Sequence, residues 1–118
     1  MRTAAELAAA HCRPLQGEAA MSGAEITTQL QVLPEWRLSD GALSRTCRFA
    51  DYYETLAFVN ALAFMVHRED HHPDLVVGYN RCEIRFSTHS AAGVTENDFI
   101  CAAKADAIFD HCYGAASA

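Results

Sequence analysis

One long helical period, opened by Asp51 and stopped by Pro73, lies between two stretches that read as β-hairpins. That arrangement constrains the fold more than any other feature of the chain. Leu56, Val59, Leu62 or Ala63, and Val66 recur at helical spacing and are predicted to face a sheet. Proline ends the period because its ring and missing N–H do not fit inside a helix. Continued to its end, the period puts His67 and His71 four residues apart on one face of the last turn.

The flanking hairpins have separate signals. Trp36-Arg37-Leu38 and Leu43 to Phe49 surround Asp40-Gly41, and Asp-Gly is a strong hairpin turn. Leu75-Val76-Val77 precedes a turn near Gly78-Tyr79-Asn80. In the next strand Cys82, Ile84 and Phe86 alternate with Glu83, Arg85 and Ser87, giving one buried and one polar face. Ser22 and Glu25 open a first helix to about Val32, with Ile26, Leu30 and Leu33 on one side and Pro34 as its stop. Thr95-Glu96-Asn97-Asp98 reads as a capping box for a last helix through about Cys112. The order α-β-β-α-β-β-α predicts an α+β domain, a four-stranded antiparallel sheet with three helices packed on one face. Such a sheet leaves an edge open, so a homo-oligomer is expected.

Residues 1–20 are alanine-rich and are expected to form a poorly ordered N-terminal arm. Residues 21–113 are expected to form the single domain, and 114–118 a C-terminal tail; Met21 offers a second start beside Met1. A chain of 118 residues that is 51% hydrophobic can build one real core. Nine Lys plus Arg and a formal charge of −6 leave no basic footprint for nucleic acid. The five cysteines are scattered and odd in number, without a C-x-x-C pair, which favours reduced and mostly buried thiols. No apolar run approaches the ~18 to 20 residues that span a bilayer. With no signal-peptide pattern at the start, a cytoplasmic location is the default expectation.

Four of the six histidines, His67, His71, His72 and His89, fall in one third of the chain. Imidazole alone among side chains exchanges protons near neutral pH without a shifted pKa. A lone histidine here would be an ordinary helix C-terminal cation. Two in tandem, pinned by Pro73 and joined by His89 just past a strand, suit an elimination, which needs a proton donor at the leaving group and an acceptor beside it. Metal binding is the rival: His67 and His71 have the i, i+4 spacing of an H-E-x-x-H zinc helix, with His89 or Asp70 as a third ligand. Arg68, however, stands where that motif has glutamate. Trp36 and Tyr79 are more often structural aromatics, Asp98 a helix-capping acid, and Glu69 and Asp70 a solvated helix face. Neither a Gly-x-Ser-x-Gly elbow nor a Gly-rich phosphate loop occurs.

His67, three residues, His71-His72-Pro73, five residues, Tyr79, nine residues, His89, eight residues, Asp98: this ordered spacing resembles the signature of the pterin-4a-carbinolamine dehydratases. Pro34-Glu35-Trp36, Ser87-Thr88-His89 and Ala92 to Asp98 are similar to that family's text, and the resemblance runs from about Ser22 to Cys112. His67 fills a position that is often an acid in the family. The resemblance implies dehydration of 4a-hydroxytetrahydropterin to quinonoid dihydropterin, recycling the cofactor of aromatic amino acid hydroxylases. It implies His71, His72 and His89 as the catalytic cluster, with Pro73, Trp36, Asp70, Ser87, Thr88, Asp98 and His67 bordering the substrate. No metal and no organic cofactor are implied, the pterin being substrate. Family members are dimers or tetramers, and a functional link to an aromatic amino acid hydroxylase follows. The alternative is a non-catalytic binding or coactivator module of the same fold.

Overall fold

The computed structural model describes residues 1–15 and 17–114; the expected tail beyond 114 lies outside the described residues. In chain order the elements are α1 (Ala4–Ala9), α2 (Gly23–Leu30), β1 (Arg37–Ser39), β2 (Ala42–Arg48), α3 (Tyr52–Glu69), β3 (Asp74–Val77), β4 (Arg81–Phe86) and α4 (Glu96–Phe109). A one-turn 3₁₀ helix at His89–Ala91 precedes α4, and a π turn at Asp110–Gly114 follows it. The four strands form one antiparallel sheet in the order β1-β2-β4-β3.

The local chemistry accounts for most boundaries. Ser22 accepts from the Glu25 N–H at 3.1 Å while Glu25 accepts from the Ser22 N–H at 2.8 Å, a complete capping box on α2. Asp51 caps α3 by accepting from the Glu54 N–H at 2.9 Å. In the first hairpin Asp40 and Gly41 both have positive φ, 50° and 77°, the combination that a two-residue turn matched to strand twist requires.

The sheet turns Leu43, Cys47, Cys82, Ile84 and Phe86 inward, all at most 2% exposed. Helices α3 and α4 lie on that face, and α2 joins the same core through Ile26. On the opposite face Ser44 donates to Glu83 across the strands at 3.1 Å. Helix α4 is the centre of the domain, with Phe99, Ile100, Cys101, Ala102, Ala103 and Ala105 all buried. Burying a ring such as Phe58, Phe86 or Phe99 contributes roughly 1.5–3 kcal/mol each. No helix among the described residues is long and apolar enough to cross a membrane.

Three details differ from expectation. The buried stripe of α3 is Thr55, Phe58, Leu62 and Val66, so its first half is rotated from the predicted Leu56–Val59 line. Thr55 can be buried there because its hydroxyl donates to the carbonyls of Asp51 and Tyr79. Helix α3 also stops before the proline reaches it. Asp70 adopts the left-handed conformation (φ 52°), its N–H bonds the His67 carbonyl, and the His71 N–H reaches back to Val66. Proline disfavours helical backbone at the residue before it, His72, so the chain turns out earlier. His71 is therefore outside the helix, and His67 and His71 do not share a helical face.

The third difference is the N-terminal segment. Residues 4–9, expected as part of a poorly ordered arm, form α1 with its own Thr3–Glu6 capping box. Leu7 (0% exposed) and Leu15 (5%) are buried, and α1 packs on α4. Two apolar anchors and a cap outweigh the weak composition signal.

Candidate active site

A buried polar network joins the start of α4 to the segments that follow α3 and β4. Asp98, in the first turn of α4, is 0% exposed and keeps its capping role: Oδ2 accepts from the Thr95 N–H at 2.8 Å. The same oxygen accepts from the Thr88 hydroxyl, also at 2.8 Å, and the Thr88 and Thr95 hydroxyls lie 2.7 Å apart. Its other oxygen, Oδ1, meets His71 Nε2 at 2.5 Å. Three donors satisfy a carboxylate that burial would otherwise penalise heavily.

Strand β4 delivers Thr88. The Thr88–Gly93 backbone bridge then folds the His89 loop onto the start of α4. Gly93 is required there, because a Cβ would stand 2.9 Å from the Ala20 Cβ. The His71 ring lies nearly parallel to Phe86, centroids 6.0 Å apart, and its side chain is 11% exposed. With Nε2 committed to Asp98, Nδ1 is the nitrogen left for chemistry. A carboxylate behind Nε2–H fixes that tautomer and stabilises the imidazolium when Nδ1 takes a proton.

A cleft of about 430 Å³ opens beside this network, lined among others by Asp70, His71, Thr88, Ser90 and Asn97. A larger groove of about 500 Å³ between Met1 and α2 contains no histidine, so size alone does not select the site. His72 and His89 are exposed, and among the described residues their rings make no hydrogen bond; neither lines this cleft. His67 is exposed on α3, Asp70 is exposed at its end, and Pro73 and Ser87 are half-buried.

Trp36 lies in the core rather than on a ligand wall: it is 4% exposed, its N–H donates to Asp106 at 2.8 Å, and its ring sits 5.9 Å from Phe86. Asp106 is also paired with Arg45, whose guanidinium covers the Phe109 ring. The i, i+4 metal pair is lost with the early end of α3, and among the described residues no three His, Cys, Asp or Glu side chains are grouped as metal ligands. All five cysteines are free. Burial pushes the Cys47 thiol up to about 12 and the Cys82 thiol up to about 11.

Two residues of this region were not singled out from sequence. Glu69, read as a solvated face, has a side chain only 6% exposed and accepts from the Cys12 N–H at 2.7 Å. Asn97 is 7% exposed and bonds both the N–H and the carbonyl of Arg13. Both partners are more than fifty residues away in sequence, so no local signal marks them.

The comparisons with known proteins bear on the whole domain. The family model described as pterin 4 alpha carbinolamine dehydratase matches residues 19–108. A protein of Xanthomonas campestris pv. campestris (strain B100) is 56% identical over 104 residues, covering 86% of this chain and 88% of that protein. One from Stenotrophomonas maltophilia (strain K279a) is 57% identical over 105 residues, covering 86% and 90%. Both are provisionally named pterin-4-alpha-carbinolamine dehydratase. A crystal structure from Brucella melitensis, described as transcriptional coactivator/pterin dehydratase, superposes with a TM-score of 0.72 at 33% identity, covering 75% of this chain and 97% of that one. By sequence and by fold, this chain belongs to the pterin 4 alpha carbinolamine dehydratase family.

Proposed function

We propose that the protein catalyses dehydration of 4a-hydroxytetrahydropterin to quinonoid dihydropterin and water, by acid–base catalysis from histidines. The observation that carries this reading is the Asp98–His71 pair at the edge of a cleft, in a chain of this family. The reaction breaks the C4a–O bond and removes the N5 proton. The departing hydroxyl takes a proton and leaves as water, while the N5–H electrons form the new double bond. His71 Nδ1, backed by Asp98, acts as the base for N5–H. His72 and His89 are exposed, and His72, adjacent in the chain, serves as the acid for the hydroxyl. Ser87, Thr88, Asp70, Pro73 and His67 border the substrate in this reading. Trp36 acts only through Phe86, on which His71 stacks. The protein works as a homodimer or homotetramer and serves an aromatic amino acid hydroxylase.

The test is the dehydration rate in the presence of a chelator, for wild type, His71→Ala and His72→Ala. Activity that survives chelation and falls by roughly 10²–10⁴-fold in folded variants supports the mechanism. A folded wild type without activity overturns it. It would leave the second reading, a non-catalytic binding module, which the coactivator description of the Brucella relative favours.

A further inference from the structure

The cleft beside His71 has a wall that the family match does not include. Arg13, Pro14 and Leu15 line it together with His71 and Thr88, yet the family model begins at residue 19. The backbone of this segment is held by buried polar side chains rather than by apolar packing alone. Asn97 Oδ1 accepts from the Arg13 N–H at 3.2 Å, and Asn97 Nδ2 donates to the Arg13 carbonyl at 2.7 Å. Glu69 accepts from the Cys12 N–H at 2.7 Å and contacts His11 Nδ1 at 2.9 Å. Leu15 is 5% exposed.

We infer that the arm Cys12–Leu15 is a built part of the substrate site, a wall that sets affinity for the pterin, with Asn97 and Glu69 as its positioning residues. This inference rests on the proposed dehydratase function. The chain places the two anchors next to the reacting machinery: Asn97 precedes Asp98, and Glu69 is two residues before His71. A small planar ligand is held by burying most of its surface, so a cleft open on this side would bind it more weakly. The arm touches neither Nδ1 of His71 nor the Asp98 carboxylate in any hydrogen bond among the described residues. Its contribution is therefore to binding in the ground and transition states alike, which appears in KM and not in kcat.

The experiment compares wild type with Asn97→Ala and Leu15→Asp in the full chain. It reads KM, kcat, the Kd of a dihydropterin lacking the 4a-hydroxyl, and amide exchange at Cys12 and Arg13. Asn97→Ala removes the two side-chain bonds to Arg13, leaving the Glu69 bond to Cys12, and Leu15→Asp expels the arm's apolar anchor. Should Asn97→Ala unfold, Leu15→Asp carries the test, because it lies outside the sheet and its helices. In both, the Cys12 and Arg13 amides should exchange faster while KM and Kd rise about tenfold, about 1.4 kcal/mol, with kcat within about twofold. Unchanged exchange overturns the anchoring. Released amides with unchanged KM and Kd, or a loss confined to kcat, overturn the wall. An active wild type with unchanged variants sinks this inference alone. A wild type that neither binds the dihydropterin nor turns over sinks the proposed function and the inference with it.

Discussion

On the proposed mechanism Asp98 serves stability through Oδ2 and chemistry through Oδ1, so two substitutions separate the roles. In Asp98→Ala three donors lose their acceptor: the Thr95 N–H, the Thr88 hydroxyl and His71 Nε2–H. The Thr88 hydroxyl can turn to Thr95 Oγ1, already 2.7 Å away. Two donors then remain unpaired, each costing about 1–3 kcal/mol when buried. His71 retains 11% exposure and can reach water, which puts its share at the low end. The sum is roughly 2–4 kcal/mol, a large part of the ~5–15 kcal/mol that holds a domain together. A drop of roughly 8–16 °C in Tm should follow at this chain length. In Asp98→Asn the amide oxygen still accepts from Thr95 and Thr88, so stability falls by about 1 kcal/mol. The amide nitrogen, however, faces His71 Nε2, drives the proton to Nδ1 and removes the base. Dehydration should fall by roughly 10²–10⁴-fold while the protein stays folded. Urea unfolding and steady-state rates decide the matter. An Asp98→Ala midpoint equal to wild type would refute the network, and an Asp98→Asn rate within threefold of wild type would refute the tautomer reasoning.

Burial pushes the Glu69 carboxyl up, but bonds from the Cys12 N–H and His11, with Lys104 nearby, outweigh it and hold it below its usual 4.5. A depressed folded value means that its stabilisation is complete above the unfolded value and is lost as pH falls through the folded one. The stability gap between wild type and Glu69→Gln should therefore be full at pH 7 and shrink towards pH 3 in urea titrations. A gap independent of pH contradicts the assignment. In native protein the exposed Cys112 should react with a thiol reagent at once. Cys47 and Cys82, 2% and 0% exposed with raised pKa values, should react only on global unfolding. Gly93→Ala should cost roughly 1–3 kcal/mol by forcing its methyl against Ala20. Adding Ala20→Gly should return most of that loss, and no recovery in a thermal melt would place the strain elsewhere.

What the sequence made legible was written within a few residues of itself. Asp40-Gly41 fixed the first hairpin because both positions need positive φ. Ser22, Asp51 and the Thr95–Asp98 box announced helix starts, because a cap bonds an N–H only three residues away. The tandem His71-His72 was visible for the same reason. The end of α3 was not, since an aspartate rather than a glycine takes the left-handed position at Asp70. Glu69 was misread and Asn97 missed because their partners lie 57 and 84 residues away. A charged residue at a helix end reads as solvated until a distant backbone N–H is laid on it, and no periodicity predicts that event.

The candidate site divides along the same line. Asp98 was legible as a cap and His71 as a proton carrier, each from local context. Their meeting depends on β4 placing Thr88 beside the first turn of α4, and on α3 releasing His71 just beyond its left-handed end. The capping requirement fixes the carboxylate first, since Oδ2 is held by Thr95 and Thr88 whether or not His71 is present. Oδ1 is then aimed by a structural need and finds the imidazole. On the proposed reading the helix cap is the means by which a histidine tautomer is set, and a mutation at Thr95, which does not line the cleft, should reach the chemistry through Asp98 without touching the substrate.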